Sequence, residues 1–342
     1  MRVAALHRLA LACLALAVFA IALAAAPSAR AAEPLKIGYS DWPGYTAWEV
    51  AIQKGWFKEA GVDVEFIFFE YGPSLEAFSA GKIDGVTMVC GDALVNGAAG
   101  KAASCIVLED YSNGNDMIIG KPGVQGFKDL KGRKVGLEFG LVEHLLLLKG
   151  LEAAGMKDTD VDIVKVPTND TPQILASGGV DAVGAWYPVS SQALQQVAGS
   201  KALYTSADVP GLIYDGLHVS KESLSTRRDD WKKVVGVWFR VVDYINNPST
   251  KSDAAKIMAA KVGVNPRQYE KSMAGTAFLD LKGNLKHYKK ADGLDSIHGS
   301  LKTANDFYLK AGVYKASQNP TAYVDSSIVE EVSGKKVETA QK

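Results

Sequence analysis

The sequence predicts an α/β protein of two lobes, each a mainly parallel sheet flanked by helices, with two chain crossings between them. Three observations lead there. Strand-like and helix-like runs alternate with short connections through the first 200 residues, the pattern of a sheet with helices on both faces. The stretch Ala80-Gly81-Lys82-Ile83-Asp84-Gly85-Val86 is echoed by Ser177-Gly178-Gly179-Val180-Asp181-Ala182-Val183, as expected of equivalent places in two lobes. Two turn-rich stretches, residues 111–116 and 208–217, interrupt the alternation where a chain would cross between lobes.

Element by element, residues 35–39 read as the first strand, followed by Ser40-Asp41-Trp42-Pro43-Gly44 and a helix over 47–54 closed by Gly55. A strand rich in Val, Ile and Phe spans 62–70. Ser74 is placed to cap a helix over 75–80, stopped by Gly81. Residues 83–90 form a buried strand, Gly91-Asp92 opens a helix to Ala99, and 103–110 form another strand. In the second unit, 117–120 is a short apolar piece, 127–130 a short helix, and 134–137 a strand ending in Glu138-Phe139-Gly140. A helix (142–154), a strand (161–166), a helix (172–177), a strand ending in Trp186-Tyr187-Pro188 and a helix (190–197) follow. From Trp231 the pattern is helical. Val234, Val235, Val237, Trp238, Val241 and Val242 supply the apolar stripe. The expected division is a leader (1–31), lobe 1 (32–115 and 213–332, the latter part helical), lobe 2 (116–212) and a flexible tail (333–342).

Arg2, His7 and Arg8, an apolar run from Leu9 to Ala26 and Ala29-Arg30-Ala31 read as a cleaved secretory leader. Its removal takes three basic residues and no acidic one, turning a formal net charge of zero into about −3. No basic cluster suggests nucleic acid. Cys90 and Cys105 remain. An oxidising compartment permits a disulfide between them, and buried free thiols fit the same apolar context. No Cys/His spacing reads as a metal motif, and no nucleophile elbow, P-loop or dinucleotide fingerprint is present, so no cofactor and no catalysis are expected.

Lys36-Ile37-Gly38-Tyr39, the run from Lys54-Gly55-Trp56-Phe57 to Gly61-Val62-Asp63-Val64, Ala80-Gly81-Lys82-Ile83-Asp84 and Asp129-Leu130-Lys131-Gly132-Arg133-Lys134-Val135-Gly136 together resemble periplasmic substrate-binding proteins of ABC importers. The group is the nitrate, sulfonate, taurine and thiamine-precursor superfamily. That resemblance implies a type II-like two-lobed fold closing on a small molecule, a monomer, a periplasmic location and an inner-membrane permease as partner. Asp41-Trp42-Pro43-Gly44, Asn113-Gly114-Asn115-Asp116 and the run from Tyr204 to Gly211 look like the urea carboxylase-related subgroup, which implies a guanidine- or urea-like ligand. The resemblance also extends to enzymes on the same fold, thiamine-pyrimidine synthases and a dehydratase of menaquinone biosynthesis; the synthases depend on a Cys-rich motif that this chain lacks, and a secretory leader disfavours both, since they work inside cells.

In sulfonate-binding relatives, hydroxyl residues follow the second-lobe Phe-Gly turn. Here Phe139-Gly140 is followed by Leu141, Val142 and Glu143, and the matching first-lobe turn is Gly91-Asp92. Carboxylates facing an anion in a closed cleft are costly, whereas they suit a cation or an N–H-rich ligand. Asp41, Asp92 and Glu143 are therefore candidate ligand contacts. A helix cap for Asp92, an Asx turn for Asp41 and a favourable helix dipole for Glu143 remain open alternatives. Trp42 and Trp186, at turns after strands, can stack on a cation. Tyr71, Tyr214 and Asp215 are further candidates, Asp215 also fitting a hinge hydrogen bond.

Overall fold

The computed structural model describes residues 33–335; the leader and its cleavage site, and residues 336–342 of the expected tail, lie outside them. The described chain forms two lobes, each a mixed sheet flanked by helices. In the first sheet β1 (Leu35–Tyr39) lies parallel to β2 (Val64–Phe68) and to β3 (Gly85–Val89). The second sheet repeats this with β6 (Lys134–Leu137) parallel to β7 (Asp162–Lys165) and to β8 (Ala182–Trp186).

The rest of each sheet is antiparallel, because of how the chain crosses. β4 (Ser104–Ser112) leaves the first lobe and continues as β5 (Asp116–Gly120), which pairs antiparallel to β8. β9 (Lys201–Thr205) leaves the second lobe, and β10 (Tyr214–Val219) returns antiparallel between β3 and β4. The sequence read residues 208–217 as turn only; the strand forms there although Asp215 and Gly216 are poor strand formers, because it is sandwiched between two partner strands. β9 and the edge strand β11 (Thr276–Phe278) were likewise not anticipated. The orders are β11-β4-β10-β3-β1-β2 and β7-β6-β8-β5-β9.

Five helices position the site: α1 (Pro43–Thr46), α2 (Tyr71–Ser79), α3 (Cys90–Ala98), α4 (Val142–Ala153) and α5 (Ile297–Lys310). Two of them start earlier than expected. Ser74 is inside α2, where its hydroxyl donates back to Tyr71 O at 2.6 Å, rather than at its cap. Asp92 is the third residue of α3, so it does not cap that helix. The amphipathic helix Arg228–Asn246 buries Trp231, Val234, Val235, Trp238, Val241, Val242 and Ile245 on one stripe. Trp238 packs on Trp48 with ring centroids 4.8 Å apart. Among the described residues no helix is long and apolar enough to cross a membrane.

Candidate functional site between the lobes

The carboxyl ends of the parallel strands of both lobes converge on one cavity, as expected where strand order reverses in an α/β sheet. The first lobe contributes Ser40, Trp42 and Tyr45 after β1, Tyr71 after β2, Val89 at the end of β3, and Asp215 on β10. The second contributes Asp116 on β5, Val142 at the start of α4, and Trp186 at the end of β8. The cavity itself measures about 10 Å³, room for about one water molecule and far below the roughly 300–1,000 Å³ of typical ligand pockets.

Its walls are aromatic. Tyr45 and Tyr71 stack at 6.4 Å between centroids, and Tyr71 meets Trp186 edge-on at 5.3 Å. Each ring is held by an acid. Trp42 Nε1 donates to both oxygens of Asp110, at 3.2 and 3.3 Å. This close approach needs Gly44, since a Cβ there would fall 1.7 Å from Asp110 Oδ2. Trp186 Nε1 donates across the cleft to Asp41 Oδ1 at 2.9 Å. Tyr45 donates its hydroxyl to Asp215.

Asp92 ties the lobes together. It accepts the hydroxyls of Tyr71 at 2.8 Å and Tyr308, on α5, at 2.9 Å, and also the backbone N–H of Val142 at 3.3 Å. Val142 opens α4, whose own N-cap residue offers no side-chain bond. Asp92 thus caps the other lobe's helix, at the N-terminus where an anionic ligand would otherwise find donors.

The remaining acids are buried with unmet acceptors. Asp116 Oδ2, Asp215 Oδ2, both oxygens of Glu143 and the Ser40 hydroxyl find no hydrogen-bond partner among the described residues. Glu143 fits because Gly184 faces it: a Cβ on Gly184 would stand 2.8 Å from Glu143 Cβ. Asp215 lies opposite Asp110 in the β10–β4 register, a like-charge juxtaposition that is unfavourable unless neutralised. Burial, reinforced by the carboxylates around them, drives the carboxyls of Glu143 and Asp215 well above the usual range. Burial brings Asp92 and Asp116 to about 7, and Asp41 to about 6 against the pull of its Trp186 bond. Surface ion pairs such as Lys121–Asp181 and Arg228–Glu331 lie elsewhere.

Of the residues expected from sequence, Trp42, Tyr71, Trp186 and Asp215 line the cavity, while Asp41 and Asp92 hold its aromatic walls. Glu143 is buried beside Asp116, Asp92 and Asp215, which act on its charge. Tyr214 is turned away: its hydroxyl donates to Leu294 O at 2.9 Å and lies 2.8 Å from His287 Nδ1. Asp116, Tyr45, Ser40 and the pair Glu109–Asp110 were missed. Two consecutive acids closing the apolar run from Ser104 to Leu108 were a signal, since a buried strand rarely ends so without a use.

This two-lobed α/β fold is that of periplasmic binding proteins. The chain belongs to the NMT1-like family, whose model matches residues 28–259. A Brucella abortus protein named as a binding protein is 28% identical over 295 residues, 85% of this chain and 89% of that one. The alkanesulfonate-binding protein SsuA from Xanthomonas axonopodis pv. citri, bound to MOPS, superposes with a TM-score of 0.70 at 21% identity, over 86% of this chain and 99% of that one. The periplasmic nitrate-binding protein NrtA from Synechocystis gives 0.71 at 14% identity, covering 88% of each. The fold is also that of an enzyme, the desulfurization enzyme DSZB, with a TM-score of 0.60 at 14% identity, over 87% of this chain and 99% of that one.

Proposed function

We propose that the protein is the extracytoplasmic solute-binding component of an ABC importer, working as a monomer with an inner-membrane permease. Its ligand is a small N–H-rich cation or amide, guanidine before urea. The observation that carries this is the set of unpartnered, buried carboxylate oxygens on Asp116, Glu143 and Asp215. Burial keeps the Glu143 and Asp215 carboxyls protonated while the site is empty, and a planar cation with N–H groups on every edge would meet several of these acceptors at once as they ionise. Asp41, Trp42, Tyr71, Asp92, Glu143, Trp186 and Asp215 frame that site in this reading, together with Tyr45 and Asp116; Tyr214, whose hydroxyl bonds Leu294 O, lies outside it. Lobe 1 comprises residues 32–115 and 213–332, and lobe 2 comprises 116–212.

A second reading, an aliphatic sulfonate, taurine or nitrate receptor, is favoured by what the structural neighbours bind. Against it stand the carboxylate lining and the capping of α4 by Asp92, which removes a donor that an anion would need. Calorimetry of the purified protein with guanidinium, urea, taurine, ethanesulfonate and nitrate decides between them. Tight binding of taurine or nitrate with no heat from guanidinium or urea would sink the ligand assignment and leave the transport role standing. Turnover of a bound ligand would overturn the non-enzymatic reading.

A further inference from the structure

In the first lobe, three side chains separated in sequence converge. Cys90 opens α3, Cys105 lies on β4 and His218 on β10, directly opposite Cys105 in register. All are fully or almost fully buried. We propose that Cys90, Cys105 and His218 form a second binding site, for one thiophilic metal ion, with Zn²⁺ the ion whose charge suits it.

Four features support this site. First, the two Sγ atoms are 3.9 Å apart, and both cysteines are free. Two sulfurs each about 2.3 Å from one tetrahedral ion stand about 3.8 Å apart, whereas a disulfide needs about 2.05 Å. The two Sγ and one His218 nitrogen all lie within 4.8 Å of one another.

Second, the space is made by a missing side chain. A Cβ on Gly216 would lie 2.5 Å from Cys105 Sγ and 3.7 Å from Cys90 Sγ. Third, His218 Nδ1 stands 2.9 Å from Gly216 O. A carbonyl only accepts, so the proton is on Nδ1 and the lone pair on Nε2. That nitrogen is buried and has no partner among the described residues. A histidine whose other nitrogen donates to a backbone carbonyl is how proteins orient a metal ligand.

Fourth, the charges balance. Binding releases two thiol protons to solvent, and one divalent ion then neutralises two thiolates, leaving an uncharged complex in the core. Tyr288 Oη lies 3.6 Å from Cys105 Sγ and donates to Cys105 O at 3.2 Å. The lack of a local Cys/His motif is explained by the topology, since β10 brings the ligands together only by inserting beside β4.

The site is independent of the ligand reading and its test has its own readout. The full chain is unfolded, reduced and refolded with one equivalent of Co²⁺, a spectroscopic stand-in for zinc. The expected result is a thiolate-to-cobalt charge-transfer absorption saturating at one ion per chain, displaced by Zn²⁺, with a raised thermal midpoint. Cys90→Ser and His218→Gln, each checked for native circular dichroism, should lose most of that absorption. The proposal is overturned if the folded wild type shows no such absorption. It is equally overturned if Cys90→Ser retains it, or if unreduced peptides of the exported protein contain a Cys90–Cys105 disulfide. Should either variant fail to fold, the wild-type readout stands alone: excess Zn²⁺ leaving the thermal midpoint unmoved also overturns it.

Discussion

Replacing Asp215 by Asn changes one charge and almost no volume, at a residue that lines the cavity with one oxygen unpartnered. Its other oxygen accepts from Tyr45, a bond the amide oxygen of Asn can keep. The loss is then one charge-assisted hydrogen bond to the ligand, about 1.5–3 kcal/mol, or roughly a 10- to 150-fold weaker Kd for guanidinium at about 1.4 kcal/mol per decade. Urea carries no charge, so its affinity should fall less. The ligand-free protein should become more stable. The carboxyl of Asp215 is raised by burial and by Asp110, so in the folded state it binds its proton more tightly than when unfolded. That mismatch costs stability above the unfolded pKa and vanishes below it. The gain in Asp215→Asn should therefore be present at pH 8 and fade toward pH 4. Calorimetry and urea unfolding of both proteins measure the two effects. A guanidinium Kd within threefold of wild type, or a ligand-free protein that Asn destabilises at pH 8, would refute the idea that Asp215 is an uncompensated carboxyl awaiting a cation.

Three further outcomes are expected. Asp92→Asn should weaken every ligand alike and favour the open form in small-angle scattering, because Asp92 bridges Tyr71, Tyr308 and the start of α4; selective loss of cations alone would instead place it in direct contact. With Asp92, Asp116 and Glu138 raised to about 7 and Asp41 to about 6, ligand-free stability should fall as pH rises from about 4 to about 7. The thermal shift caused by guanidinium should be largest near pH 8 and shrink by pH 5.5; a shift that is flat with pH counts against the carboxylate cluster. Tyr214→Phe should cost about 1–3 kcal/mol of stability, since Leu294 O loses a buried donor, and leave affinity unchanged; a weakened Kd would return Tyr214 to the site.

Much of the site was legible one residue at a time. Asp41, Trp42 and Trp186 stand at strand ends, and strand ends are where an α/β sheet exposes side chains to a ligand. Glu143 was visible as an acid where a hydroxyl was expected. Asp116 was hidden in a turn-like string, Asn113-Gly114-Asn115-Asp116, and only its pairing with Trp186 across β5 and β8 turns it toward the cavity. Tyr214 stood in a turn by sequence, but the antiparallel placement of β10 aims its hydroxyl at Leu294 and His287. The thiols show the same limit: nothing local links Cys90, Cys105 and His218.

By itself the sequence determined the alternation of elements and the two crossings, because these depend on periodicity and turn chemistry near each residue. The tertiary structure decided which acids are satisfied and which are not. Asp92 and Asp41 find donors across the cleft, while Asp116, Glu143 and Asp215 keep oxygens with none. That difference rests on long-range approach and on desolvation, which arise only when both lobes enclose the same small space.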